Sequence, residues 1–88
     1  MFFKKAQARN YSVVLNGRAG LTYKEGDRVA NIFSEMLYGD FDYVVYLNRW
    51  NAWEPPFQGE HITPEIRDLV KKNITEDLAK TGWKIDWD

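Results

Sequence analysis

The sequence contains no cysteine and a single histidine, His61. Without cysteine there is no disulfide framework, thiolate nucleophile or cysteine-ligated metal. No apolar run is long enough to cross a bilayer, and residues 1–5 become charged too soon for a secretory signal, so we expect a cytoplasmic protein. The length of 88 residues predicts a single domain, residues 1–88, burying roughly 60–65% of its unfolded surface.

Side chains that could carry out catalysis are few and scattered. His61 lies in a predicted loop, and no nearby serine is placed to act as a nucleophile. The one enzymatic alternative is a small hydrolase or nuclease in which His61 acts as a general base together with an Asp or Glu. Asp40 with Asp42, and Asp86 with Asp88, are pairs at strand spacing, which is typical of turn and solvent-facing positions. Metal-ligand spacings and a phosphate-binding glycine loop are absent. We therefore expect a protein that is not an enzyme, with no metal and no cofactor.

The first half of the sequence predicts short strands joined by turns. Asn16-Gly17 after a β-forming segment predicts a hairpin with strands at residues 11–15 and 18–23. Residues 28–37 carry apolar side chains at helical spacing but lack a clear cap, so we predict a strand, with room for a bulge, and keep a helix as the alternative. Residues 41–47 are apolar on both faces, which predicts a central strand.

The second half predicts one helix and a last strand. Thr63-Pro64-Glu65 is typical of a helix start, and Gly82 of a helix end. Apolar and polar side chains alternate along residues 83–88, so we expect a strand in which Trp83 and Trp87 pack under the helix. Together the segments predict an α+β fold: an antiparallel β-meander of about four to five strands plus a C-terminal strand, one face covered by a single amphipathic helix.

The loop predicted at residues 48–62 carries Trp50 and Trp53 beside a double proline. Tryptophan is enriched at binding centres, so the loop predicts recognition rather than catalysis. Trp50 is the tryptophan we expect to be exposed, and Phe57 is a further candidate. Trp53 fits a binding role and a place in the core equally well.

The charges are distributed unevenly. Residues 1–28 carry six Lys/Arg against two acids, whereas residues 35–65 carry six acids against Arg49 alone. An acidic field would steer a basic protein partner and repel phosphate, which disfavours direct nucleic-acid binding. Ordinary solvated faces are the alternative interpretation. The residues we predict to bind a partner are Asp40, Asp42, Trp50, Glu54, Phe57 and Glu60.

Four ordered segments carry a family resemblance: residues 41–47 (FDYVVYL), 53–56 (WEPP), 60–65 (EHITPE) and 82–87 (GWKIDW). Together they resemble the immunity protein 74 family of bacterial polymorphic-toxin immunity proteins. The resemblance implies a small cytoplasmic inhibitor encoded beside a contact-dependent or secreted toxin. It would bind the toxin's C-terminal effector domain and block it, either by plugging the active site or by holding the domain elsewhere. A nuclease with a basic cleft is one toxin that fits. No binding residue carries over by motif.

A second hypothesis comes from another class of protein. The chain could be a phage- or plasmid-encoded structural or regulatory module that dimerises through an edge strand at residues 83–88. The sequence leaves the oligomeric state open, with a monomer favoured.

Overall fold

The computed structural model describes residues 10–16 and 20–88. Its described part contains two three-stranded sheets and one long helix, so the predicted α+β class with a single helix is confirmed. The elements are β1 Tyr11–Leu15, β2 Leu21–Glu25, β3 Arg28–Ile32, β4 Ser34–Met36, β5 Tyr43–Val45, a 3₁₀ helix Leu47–Arg49, α1 Pro64–Ala79 and β6 Ile85–Trp87.

The first sheet is antiparallel, in the order β1-β2-β3. Leu15 lies opposite Leu21, so β1 and β2 form the predicted hairpin, but the connection is longer than a two-residue turn. Gly17 and the predicted start of the returning strand at residue 18 lie outside the described residues. Gly20 has φ +99°, and a Cβ there would lie 2.8 Å from the carbonyl oxygen of Ile32, so the position requires glycine.

Residues 28–37 form strands rather than a helix. Burial alternates along them: Ala30, Ile32 and Ser34 are buried, whereas Asn31 and Phe33 are exposed. A period of two is the signature of a strand, and it overrides the helical spacing in the sequence. The segment breaks at Phe33, where the chain leaves the first sheet as β3 and enters the second as β4.

The second sheet has the order β4-β5-β6. All three residues of β5 are buried, which confirms its predicted central position, although the strand is shorter than residues 41–47. β6 pairs with β5 in parallel, whereas β4 pairs with β5 in antiparallel orientation. The parallel pairing follows from the crossover through α1, because parallel neighbours need a long connection.

The predicted start of α1 is confirmed. Thr63 is the N-cap, its Oγ1 accepts a hydrogen bond from the backbone N–H of Ile66 at 3.2 Å, and Pro64 is the first helical residue. The buried face of α1 joins a core that also contains side chains of both sheets and the tryptophan loop. Asn73 donates a hydrogen bond of 2.8 Å to the hydroxyl of Tyr23, linking α1 to the first sheet. Within the described ranges, α1 falls short of the length and apolarity that a membrane-spanning helix needs.

Candidate partner-binding surface

The tryptophan loop belongs to the core. Trp50 and Trp53 are each 5% exposed, and their rings meet edge to face. The indole N–H of Trp50 donates to the carbonyl of Ala52 at 2.7 Å, and the ring of Trp53 stacks on Tyr23. The prediction that Trp50 is exposed is therefore wrong. Trp50 follows the 3₁₀ helix Leu47–Arg49 directly, and its backbone N–H donates to the carbonyl of Leu47 at 3.1 Å, a local turn that the sequence pattern does not reveal.

Residues 54–60 are held against the first sheet. The N–H of Glu54 donates to the carbonyl of Val29 at 2.8 Å. Arg28 donates two hydrogen bonds to Glu60, of 2.8 Å and 2.5 Å, and its guanidinium lies 4.4 Å from the ring centroid of Phe57. These hydrogen bonds from Arg28 lower the pKa of the Glu60 carboxyl below its ordinary value. Phe57 and Glu60 thus make contacts within the protein that fix this loop.

Asp40 and Asp42 lie in the loop between β4 and β5. Asp42 is bonded to Lys84 in both directions: its carboxylate accepts from the Lys84 N–H at 2.8 Å, and its own N–H donates to the Lys84 carbonyl at 2.8 Å. Asp40 is exposed. Asp42 therefore anchors the loop to the start of β6, and Asp40 is left facing solvent.

The six residues predicted to bind a partner are thus divided rather than brought together. Asp40 and Asp42 lie in the loop between β4 and β5 of the second sheet, and Trp50 lies in the core. The other three, Glu54, Phe57 and Glu60, lie against the first sheet. Of the six, Asp40 is exposed, Trp50 is buried, and the other four are half-buried.

A different set of side chains forms the most apolar exposed region. Five of the seven large exposed hydrophobic residues among the described residues lie on or just before β4, in the loop between β4 and β5, or just before β6. We call these five the edge surface: Phe33 (49% exposed), Met36 (57%), Tyr38 (98%), Phe41 (44%) and Trp83 (42%). Clusters of exposed apolar side chains of this kind mark interaction sites.

Pairing in the second sheet explains how the edge surface is assembled. Met36 lies opposite Tyr43, and the ring of Trp83 meets Tyr43 edge to face with centroids 5.3 Å apart. The prediction that Trp83 packs under the helix is wrong, because β6 begins only at Ile85. Trp87, in contrast, packs against the core, with the ammonium of Lys71 from α1 lying 5.5 Å from its ring.

Sequence reasoning missed this surface, although a signal was present. Residues 36–41 place large apolar side chains around Gly39-Asp40, which has the composition of a turn. Loops run mainly over the protein surface, so large apolar side chains in a turn this short tend to remain in contact with solvent.

Carboxylates border the edge surface. Glu35 lies within β4 and accepts a hydrogen bond from the hydroxyl of Tyr46, a bond that raises the pKa of that phenol. Asp40 and Asp42 follow in the adjoining loop. At β4 and the adjoining loop, the surface combines apolar contact area with negative charge, a pairing that suits a basic protein surface. At Phe33 it also carries a positive charge, because the guanidinium of Arg49 lies 5.9 Å from the centroid of that ring.

Groups suited to metal binding do not gather in residues 10–16 and 20–88. Those ranges hold no cluster of three or more His, Asp or Glu side chains able to bind a metal ion. The side chain of His61 is exposed on its loop.

Large apolar side chains that stay exposed at one sheet edge are typical of protein-binding surfaces. The family model for immunity protein 74 matches residues 14–88, and the chain belongs to this family. The match confirms the resemblance drawn from four segments and extends it into the first sheet. No curated protein and no solved structure matches the chain. Immunity proteins are generally not enzymes.

Proposed function

We propose that this protein neutralises a bacterial toxin by binding the toxin's C-terminal effector domain and occluding it. Membership of an immunity protein family supports the inhibitory role. The observation that carries the binding role is the edge surface, whose five large apolar side chains are exposed on β4, beside it and just before β6. The protein would act in the cytoplasm as a stoichiometric inhibitor, without enzymatic activity or a cofactor.

The energetics of exposed aromatic groups support this role. Burying apolar surface contributes roughly 25 cal/mol per Å², and aromatic side chains dominate the energetic centres of protein interfaces. Tyr38 is 98% exposed, so it contributes almost no buried area to the fold. A complex that covers Tyr38, Phe41 and Met36 would bury area that folding alone leaves in water.

The acidic border supports a basic partner. Glu35, Asp40 and Asp42 would attract a positively charged surface and raise the rate of encounter. Among toxin effector domains, a nuclease fits this requirement, because a cleft that binds phosphates is itself basic. The protein would then block nucleic-acid cleavage by covering that cleft, without binding nucleic acid itself.

Co-expression tests the proposal. The effector domain encoded beside this chain's gene is produced in bacteria with and without the chain, and we expect survival and a co-eluting complex only when the chain is present. The double variant Tyr38→Ala/Phe41→Ala should lose protection while keeping its fold. Val14→Ala and Leu69→Ala are matched controls, since these residues are 52% and 45% exposed on other surfaces.

Two outcomes would contradict the proposal. Equal killing with and without the chain, and no complex, would remove the inhibitory function. Full protection by the double variant would show that the edge surface is not the binding site. If the chain alone formed a dimer, and changes in residues 83–88 abolished it, the second hypothesis would be favoured: a structural or regulatory module that dimerises through this segment.

A further inference from the structure

The outer side of β4 is an open sheet edge. β4 pairs with β5 on one side, and no other strand in the described ranges pairs with its opposite side. Such an edge presents backbone donors and acceptors to any extended chain that approaches it.

The hydrogen bonds that flank β4 fix which backbone groups face outward. The N–H of Tyr46 donates to the carbonyl of Phe33 at 2.9 Å, and the N–H of Leu37 donates to the carbonyl of Asp42 at 2.8 Å. Bonding alternates along an antiparallel pair, so Glu35 also bonds toward β5. Ser34 and Met36 therefore direct their N–H and C=O groups away from β5, toward the open edge.

A hollow beside this edge could receive side chains. It measures about 410 Å³ and is lined by Phe33, Ser34, Glu35, Met36 and Tyr38. The hydroxyl of Ser34 is buried and has no hydrogen-bond partner. A buried polar group without a partner is unusual in a folded protein, and a strand added at the edge would place a side chain opposite it.

The charge of β4 distinguishes a foreign strand from a second copy of the chain. If two copies of β4 paired in antiparallel orientation along their full length, Glu35, the middle residue of each strand, would lie opposite Glu35 of the other copy. Side chains so placed have Cβ atoms roughly 4.5–5.5 Å apart, and like charges there are destabilising. A lysine or arginine opposite Glu35 would make that interaction attractive. The negative charge of Asp40 further favours a basic partner strand over a second copy of the chain.

We infer that an extended basic segment of the toxin domain adds to β4 as a fourth strand of the second sheet. Its backbone bonds to Ser34 and Met36, a basic side chain lies opposite Glu35, and an apolar side chain enters the hollow. This inference rests on the proposed function and specifies how the edge surface is used.

Amide hydrogen exchange on the wild-type chain, free and bound to the toxin effector domain encoded beside its gene, tests the inference directly. The N–H groups of Ser34 and Met36 face outward, so binding should slow their exchange by about tenfold or more. Glu35, already bonded within the sheet, serves as the internal control and should change less.

Proline substitution provides a second measurement. Met36→Pro removes an outward N–H and leaves the bonds to β5 intact, and proline is accepted on edge strands where the N–H faces solvent. Met36→Ala is the matched control, because it removes the same side chain but keeps the N–H. We expect Met36→Pro to bind the toxin domain about tenfold more weakly than Met36→Ala.

The outcomes separate the two claims. If the wild-type chain forms no complex with the toxin domain, both the proposed function and the strand addition are overturned. If a complex forms but Ser34 and Met36 exchange as fast as in the free protein, only the strand addition is overturned. Protection of these amides in a dimer of the free chain would overturn the choice of a foreign strand.

Discussion

Trp50 and Trp53 meet edge to face, with ring centroids 4.9 Å apart and an interplanar angle of 80°. This geometry is favourable for aromatic pairs because the positive edge of one ring lies against the negative face of the other. The contact lies in the core cluster with Tyr23 and Ile74. The loop that most suggests recognition in the sequence therefore contributes chiefly to stability.

Replacing Trp50 by alanine should destabilise the protein strongly. Large-to-small changes at buried aromatic positions cost about 3–5 kcal/mol, and Trp50 is 5% exposed. Chemical denaturation followed by circular dichroism gives the free energy of unfolding, with Trp50→Phe as a milder control. Wild-type stability in Trp50→Ala would contradict the core position.

The ion pair between Arg28 and Glu60 should make stability depend on pH in the acidic range. The pKa of Glu60 is lower in the folded protein than the 4.5 of an unfolded carboxyl group. The ion pair therefore contributes fully to the free energy of unfolding above pH 4.5, and this contribution is lost as the pH falls through the lowered pKa of the folded state. Glu60→Gln should be less stable than wild type at neutral pH and equal to it at strongly acidic pH. A difference that stays constant across this range would show that the charge is not responsible.

Replacing Ser34 by alanine should stabilise the free protein. The buried Ser34 hydroxyl has no hydrogen-bond partner, and removing such a group recovers about 1 kcal/mol of desolvation cost. For a domain of this size, that gain would raise the melting temperature by about 4–8 °C. Ser12→Ala is the matched control, because Ser12 is exposed on β1. A lower melting temperature for Ser34→Ala would mean that the hydroxyl is satisfied in solution.

Reversing the charge of Asp40 should slow association with the toxin domain. Charges at the border of an interface act mainly on the association rate, and their effect is screened by salt. Asp40→Lys should therefore associate more slowly than wild type at low ionic strength, and the difference should shrink as salt is added. Asp27→Lys makes the same change in net charge on the first sheet and should behave as wild type. Equal rates for both variants at low salt would contradict a binding surface beside Asp40.

Local signals made part of the fold predictable. The helix start depends on a cap and a proline at adjacent positions, Thr63 and Pro64, and both act within one turn. β1 was equally predictable, because a run of β-forming residues ended at a turn signal. For these segments, the sequence neighbours provide the contacts that decide the conformation.

Long-range pairing made the rest unpredictable. At Phe33 the chain passes from one sheet to the other, because β3 pairs with β2 whereas β4 pairs with β5. The parallel alignment of β6 depends likewise on β5, far away in the sequence. The exposure of Trp83 and the burial of Trp50 follow from these pairings. For this reason the sequence predicts a binding site at the tryptophan loop, whereas the structure has its exposed apolar side chains at the edge of β4.

The way the loop at residues 37–42 is closed has a consequence for how specificity can change. The Leu37–Asp42 hydrogen bond closes its base, and the bonds between Asp42 and Lys84 tie that base to the residue that precedes β6. The four residues in between, 38–41, are all exposed and lie outside the core. Such a segment can be exchanged as a cassette. A lineage whose toxin diverges could replace residues 38–41 without rebuilding the fold, and an engineer could graft a new recognition sequence at the same place.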